Sequence, residues 1–90
     1  MARRLFTVED TFSVRDRGLV LIPGIIPMHH ERFGTGDPIT LLRPDGSVMD
    51  TKIGGLEMLD PNPNCDVVIL LKGMLKTEVP VGTEVWSVDA

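Results

Sequence analysis

The sequence predicts an all-β fold, a barrel of six strands, on three observations. Polar and apolar residues alternate with a period of two from Phe6 to Val14. Glycine or proline stands at nearly every junction between apolar runs. No segment carries apolar residues at the spacing of an amphipathic helix, and there is no internal repeat. Closure into a barrel is expected because it removes the unpaired edges that would let such apolar strands aggregate.

In the first strand Phe6, Val8, Phe12 and Val14 share one parity and Thr7, Glu9, Thr11 and Ser13 the other, which predicts one dry face and one wet face. Asp10 falls on the parity of Phe6 and Phe12, so partial burial is expected there, with its carboxylate serving turn amides. Arg15-Asp16-Arg17-Gly18 is a polar turn in which Gly18 takes the positive φ. The second strand runs from about Leu19 to Ile26, and Pro23, which has no amide proton to give a ladder, marks an edge, bend or bulge. Pro27 to Pro38 has no periodicity and reads as the longest exposed loop.

The third strand, Ile39 to Arg43, enters the tight turn Pro44-Asp45-Gly46-Ser47, where proline presets φ and Gly46 accepts left-handed geometry. In the fourth strand, Val48 to Met58, the apolar parity slips by one residue at Gly54-Gly55, the mark of a β-bulge that bends a small sheet round. After a turn over Leu59 to Asn64 comes the fifth strand, Val67 to Leu71, apolar throughout and expected to be the most buried. Met74 to Gly82 crosses to the last strand, which sets Val85 and Ser87 on one face and Trp86 and Val88 on the other.

Ninety residues suit one domain, residues 1–90, near the lower size at which a chain folds without disulfides or metals. A hydrophobic content of 42% provides a core, and the 24% of charged residues are spread along the chain, which argues against disorder. No window approaches the roughly eighteen uninterrupted apolar residues of a membrane helix. The basic start Met1-Ala2-Arg3-Arg4 leads straight into a strand without a signal core, so a cytoplasmic protein is expected. Cys65 is the single cysteine, which leaves no intramolecular disulfide and no cysteine-based zinc site. A net charge of −4 opposes binding that depends on neutralising many phosphates.

Six short pieces, in order, resemble the second domain of elongation factor Tu and related translational GTPases. Val8-Glu9-Asp10-Thr11-Phe12 with Arg17-Gly18 resembles that domain's opening hairpin, and Gly36-Asp37-Pro38-Ile39 its entry to the third strand. Gly54-Gly55-Leu56-Glu57-Met58 is similar to its glycine-bulge segment, and Leu70-Leu71-Lys72-Gly73 followed by Val79-Pro80-Val81-Gly82-Thr83 to its ending. The resemblance implies a six-stranded closed Greek-key β-barrel of the translation-protein type. In that family the domain is not the GTPase, and in elongation factor Tu one rim receives the 3′ end of aminoacyl-tRNA. There is no G-x-x-x-x-G-K-[ST] phosphate loop here, so no nucleotide is expected on this chain.

The resemblance places Glu9, Asp10, Phe12, Arg17, Gly18, Val20, Glu57 and Leu70 on that rim. It implies Glu57 against a terminal adenine, Val20 and Leu70 as apolar floor, and Arg17 at a phosphate or ribose. Asp16 stands where the family has glycine, Ile22 where it has threonine and Asp66 where it has asparagine. Leu59-Asp60 replaces an aromatic or histidine followed by arginine, so a cation is lost and carboxylates are gained.

His29-His30-Glu31 offers metal-ligand types, but neighbours on extended chain point apart and no third ligand cluster is visible. A solvated loop tip is the expectation, with no metal and no cofactor. Glu9 and Asp10 lie on opposite strand faces and cannot share a proton, and no base is established beside Cys65 or a serine for nucleophilic catalysis.

The expected function is that of a free-standing, non-catalytic binding module holding a partner protein on the rim. Its expected binding residues are Glu9, Asp10, Arg17, Glu57, Met28, His29, His30 and Phe33, the last four from the long loop. A tRNA acceptor end in an accessory translation role is the alternative ligand. A small metal-dependent enzyme is the alternative from another class.

Overall fold

At Val8 and Glu9 the chain changes neighbours. The Val8 amide donates to the carbonyl of Thr83 at 2.8 Å, and the next amide, of Glu9, donates to Ile22 at 2.8 Å. Consecutive amides of extended chain point to opposite sides, so one corner residue can serve one sheet and its successor another. The same hand-over recurs at Ile53, whose amide donates to Asp37 at 2.9 Å, and at Gly54, whose amide donates to Leu70 at 2.7 Å. These corners divide a computed structural model that describes residues 3–26, 32–57 and 67–88.

The strands are β1 (Arg4–Thr7), β2 (Asp10–Val14), β3 (Gly18–Ile25), β4 (Pro38–Leu42), β5 (Val48–Lys52), β6 (Gly55–Glu57), β7 (Val67–Leu71) and β8 (Glu84–Ser87). A single 3₁₀ turn, Lys76–Glu78, is the only helical element among the described residues. The first sheet has the order β1-β8-β4-β5 and the second β2-β3-β7-β6, and every pairing is antiparallel. No helix among the described residues is long and apolar enough to cross a membrane.

The all-β class is as the sequence predicts, but the ladder is not one closed barrel. Two four-stranded sheets take its place, because the expected first strand divides into β1 and β2 and the expected fourth into β5 and β6. The second division falls at Ile53-Gly54, where the sequence shows its phase slip, and Gly54 has to be bare. A Cβ there would stand 2.9 Å from the Lys72 amide nitrogen.

The first division overturns the expected parity. Phe6 and Val8 are buried, but beyond the corner Phe12 is 51% exposed and Thr11 only 2%, so the dry face has moved to the other set of side chains. A chain that turns from one sheet into another cannot keep a single face inward. Asp10, expected to be partly buried, is exposed for the same reason.

Leu19 and Leu21 from β3, Ile39 and Leu41 from β4, Ile69 and Leu71 from β7 and Val85 from β8 fill the space between the sheets. Val20, Val68 and Leu70 form a second apolar cluster, with Ile22 packed against it. Adjacent residues of a strand face opposite ways, so this cluster lies on the outer side of β3 and β7. That explains why β7 is apolar at every position.

Pro23 sits where the β3–β7 register shifts between Leu21 and Ile25, so the interruption is a bulge, and the Ile22–Pro23 peptide is cis. In the β4–β5 hairpin Gly46 has φ +90°. The Asp45 carboxylate accepts the Ser47 amide at 2.8 Å and the Ser47 hydroxyl at 2.6 Å. The hydroxyl first and the amide second hold this carboxyl below its ordinary 3.8. A group with a depressed folded-state pKa stabilises fully above its unfolded value and loses that contribution as the pH falls through the folded one. We therefore expect Asp45→Asn to remove this acid-side component of stability. An NMR titration of the wild-type carboxyl should give a midpoint under 3.8, and a midpoint above it contradicts the turn geometry.

Candidate binding face

The register of the second sheet assembles the candidate site. Phe12 pairs with Val20, Val20 with Leu70 and Leu70 with Gly55, one row across all four strands on the outer face. The adjacent row, Thr11, Leu21, Ile69 and Leu56, faces the core. One residue of slip would exchange the two rows. On the outer face a half-exposed phenyl ring therefore stands at one edge and a glycine at the other, with the buried Val20 and Leu70 between them.

Arg17, from the turn joining β2 to β3, donates through Nη1 to Glu57 Oε1 on β6 at 2.5 Å. In sheet order β7, which carries Leu70, lies between the strands that bear the two partners. The pair lines a depression of about 280 Å³ together with Asp16, Gly54, Gly55, Leu56, Leu70 and Lys72. The arginine side chain is 64% exposed and the glutamate 34%, so water screens much of their attraction. Glu57→Gln is expected to cost less than about 1 kcal/mol at low salt and less still at high ionic strength. Urea denaturation at two salt concentrations checks this, and a salt-independent loss above about 2 kcal/mol contradicts it.

The expected binding residues separate into four groups. Arg17 and Glu57 meet, beside Phe12, Val20 and Leu70. Glu9 and Asp10 are exposed at the start of β2, where Asp10 Oδ1 accepts the Thr11 amide at 2.8 Å. Phe33 does not join them, because it is half-buried against the main core and so serves packing. Met28, His29 and His30 lie outside the described residues. Among the described residues no group of three or more His, Cys, Asp or Glu side chains could hold a metal ion.

Lys72 is the wall residue that sequence reasoning passed over. It ends the apolar run of β7, and its position follows from two glycines far away in sequence, Gly18 and Gly54, whose bare backbones flank it. That proximity has no signature in local pattern. Comparison with known proteins gives no match to a family model, to a curated protein or to a solved structure.

Proposed function

We propose that this chain is a non-catalytic, cytoplasmic binding module that holds a partner protein on the outer face of its second sheet. The observation that carries the proposal is the meeting of Phe12, Arg17, Val20, Glu57 and Leu70 on one face from four separate stretches of sequence. An exposed phenyl ring beside a charged pair suits a protein surface, in which apolar contact supplies affinity and the charges fix register. The chain's net charge of −4 and the presence of Asp16 and Glu57 at the depression favour a protein over a polyphosphate.

We extend the proposal to the barrel of elongation factor Tu domain 2 as the plan behind the two sheets. Counting β1–β2 and β5–β6 as single bent strands gives six, and their pairings follow the cyclic order first, second, fifth, fourth, third, sixth. This cyclic order supports the plan, and so does the place of the glycine bulge. The same likeness supports a second ligand, a tRNA acceptor end, with Leu70 and Val20 beneath a base and Arg17 at a phosphate.

Two experiments test the proposal. Immobilised wild-type chain should retain a protein from its own cells that the Phe12→Ser variant, with its melting temperature unchanged, does not retain. Equal retention by both overturns the assignment of the face. Titration of isotope-labelled chain with a tRNA acceptor minihelix at low salt should leave the Arg17 and Glu57 resonances in place, whereas saturable shifts at both transfer the face to RNA.

A further inference from the structure

β5 ends the order of the first sheet, so one of its sides pairs with β4 and the other with no strand among the described residues. The hydrogen bonds fix which groups face that open side. The Arg43 amide donates to the carbonyl of Ser47 and the Ile53 amide to that of Asp37, so in this register Met49 and Thr51 turn their amides and carbonyls to β4. Val48, Asp50 and Lys52 turn theirs outward, and those groups have no hydrogen-bond partner among the described residues. The edge is open as far as Gly54, whose amide donates to Leu70 of β7.

An open edge accepts another extended strand, and the side chains along it decide which strand fits. Asp50 and Lys52 are both exposed on one face of β5, and neither has an ion pair among the described residues. The Thr40 hydroxyl donates to Asp50 Oδ1 at 2.9 Å, which holds the carboxylate in place and leaves Oδ2 for a further partner.

We propose that β5 pairs with β5 of a second copy of this chain, antiparallel about a two-fold axis at Thr51. This register sets Asp50 of each copy opposite Lys52 of the other, so each such pair exchanges backbone hydrogen bonds and joins opposite charges. The two Thr51 residues meet across the axis as the closer, non-hydrogen-bonded kind of pair. Neighbouring registers lose this match. An axis at Asp50 sets carboxylate against carboxylate, an axis at Lys52 sets ammonium against ammonium, and an axis at Met49 leaves Asp50 facing Val48. The edge charges thus oppose indiscriminate pairing and select one register. Pairing stops at Gly54, where β7 holds the edge, and a two-fold contact uses each edge once, so the assembly closes as a dimer. Phe12 and the outer face of the second sheet take no part in it.

Sedimentation equilibrium should show monomer and dimer and no larger species. Asp50→Lys and Lys52→Asp should each weaken association about tenfold or more, because each sets like charges opposite one another. Mixed in equal amounts, the two variants should associate about as tightly as the wild type, since every lysine of one then meets an aspartate of the other. Asp50→Pro removes an outward amide and spares the bonds to β4, so it should abolish the dimer with little change in melting temperature. A chain that stays monomeric at its highest soluble concentration, open-ended assembly, charge variants that associate as the wild type does, or a mixture that associates no better than its components each overturns the assignment. Should Asp50→Pro fail to fold, the mixing experiment still decides. Phe12→Ser should dimerise unchanged, and a dimer that needs Phe12 would move the contact to the second sheet and overturn the pairing at β5.

Discussion

Gly18→Val is expected to cost about 3 kcal/mol or more and to lower the melting temperature by roughly 12–24 °C. Two penalties coincide at this position. Gly18 has φ +132°, where a β-branched residue is strained, and a Cβ would stand 2.6 Å from the Leu71 carbonyl oxygen and 3.1 Å from its carbon. The obstacle is backbone, so no rotamer change relieves it. β3 and β7 would have to part at the Leu19–Leu71 pairing, which belongs to the core. Gly46→Ala is the control. It has φ +90° but nothing within 4 Å of the added methyl, so it should cost only about 1 kcal/mol. Thermal and urea denaturation of the two variants measure the difference, and an unchanged midpoint for Gly18→Val would mean that β7 does not approach the turn so closely.

Ile69→Ala is expected to cost about 3–4 kcal/mol, and Phe12→Ala less than about 1 kcal/mol. Ile69 is fully buried at the centre of the second sheet, so truncation loses its transfer free energy and leaves a cavity that the packed neighbours fill only in part. Phe12 is 51% exposed, on the opposite face. If the first strand kept one parity from Phe6 to Val14, Phe12 would be a core residue, and its truncation would cost about 3–5 kcal/mol. Urea denaturation of the pair therefore decides whether the chain turns over at Val8-Glu9. A phenylalanine at that exposure also gives the outer face its largest free apolar surface, so the variant that spares the fold is the one that should impair binding.

What could be read from residues alone follows the range of the interactions involved. The hairpin at Pro44 to Ser47 and the turn at Gly18 are local, and the sequence displays them because proline and glycine act on their own backbone. The burial of β7 was legible from its unbroken apolar run. The slip at Gly54-Gly55 was visible as a change of parity, and in the structure it is the corner between β5 and β6. The matching corner at Val8-Glu9 carries no glycine, and its side chains keep one alternation through the change of sheet. It is set instead by two distant carbonyls, of Thr83 and Ile22, which no local pattern reports.

The candidate site divides along the same line. Arg17 and Glu57 lie 40 residues apart in sequence, and the family likeness, not periodicity, singled them out together. Phe33 read as an exposed loop residue because its surroundings have no period. Its contact with the core comes from the closing of Gly34 to Asp37, where the Asp37 carboxylate accepts the Gly34 amide at 2.8 Å. Lys72 was invisible as a site residue because both of its neighbouring glycines are remote in sequence.

The most direct test of the account is methyl NMR of the chain bound to the protein that Phe12 is needed to retain. The outer face of the second sheet predicts shifts at the methyl groups of Val20 and Leu70, with the Leu42 and Val48 methyls on the other sheet unmoved. Shifts at Leu42 and Val48, without change at Val20 and Leu70, would place the partner on the opposite side of the molecule and contradict it.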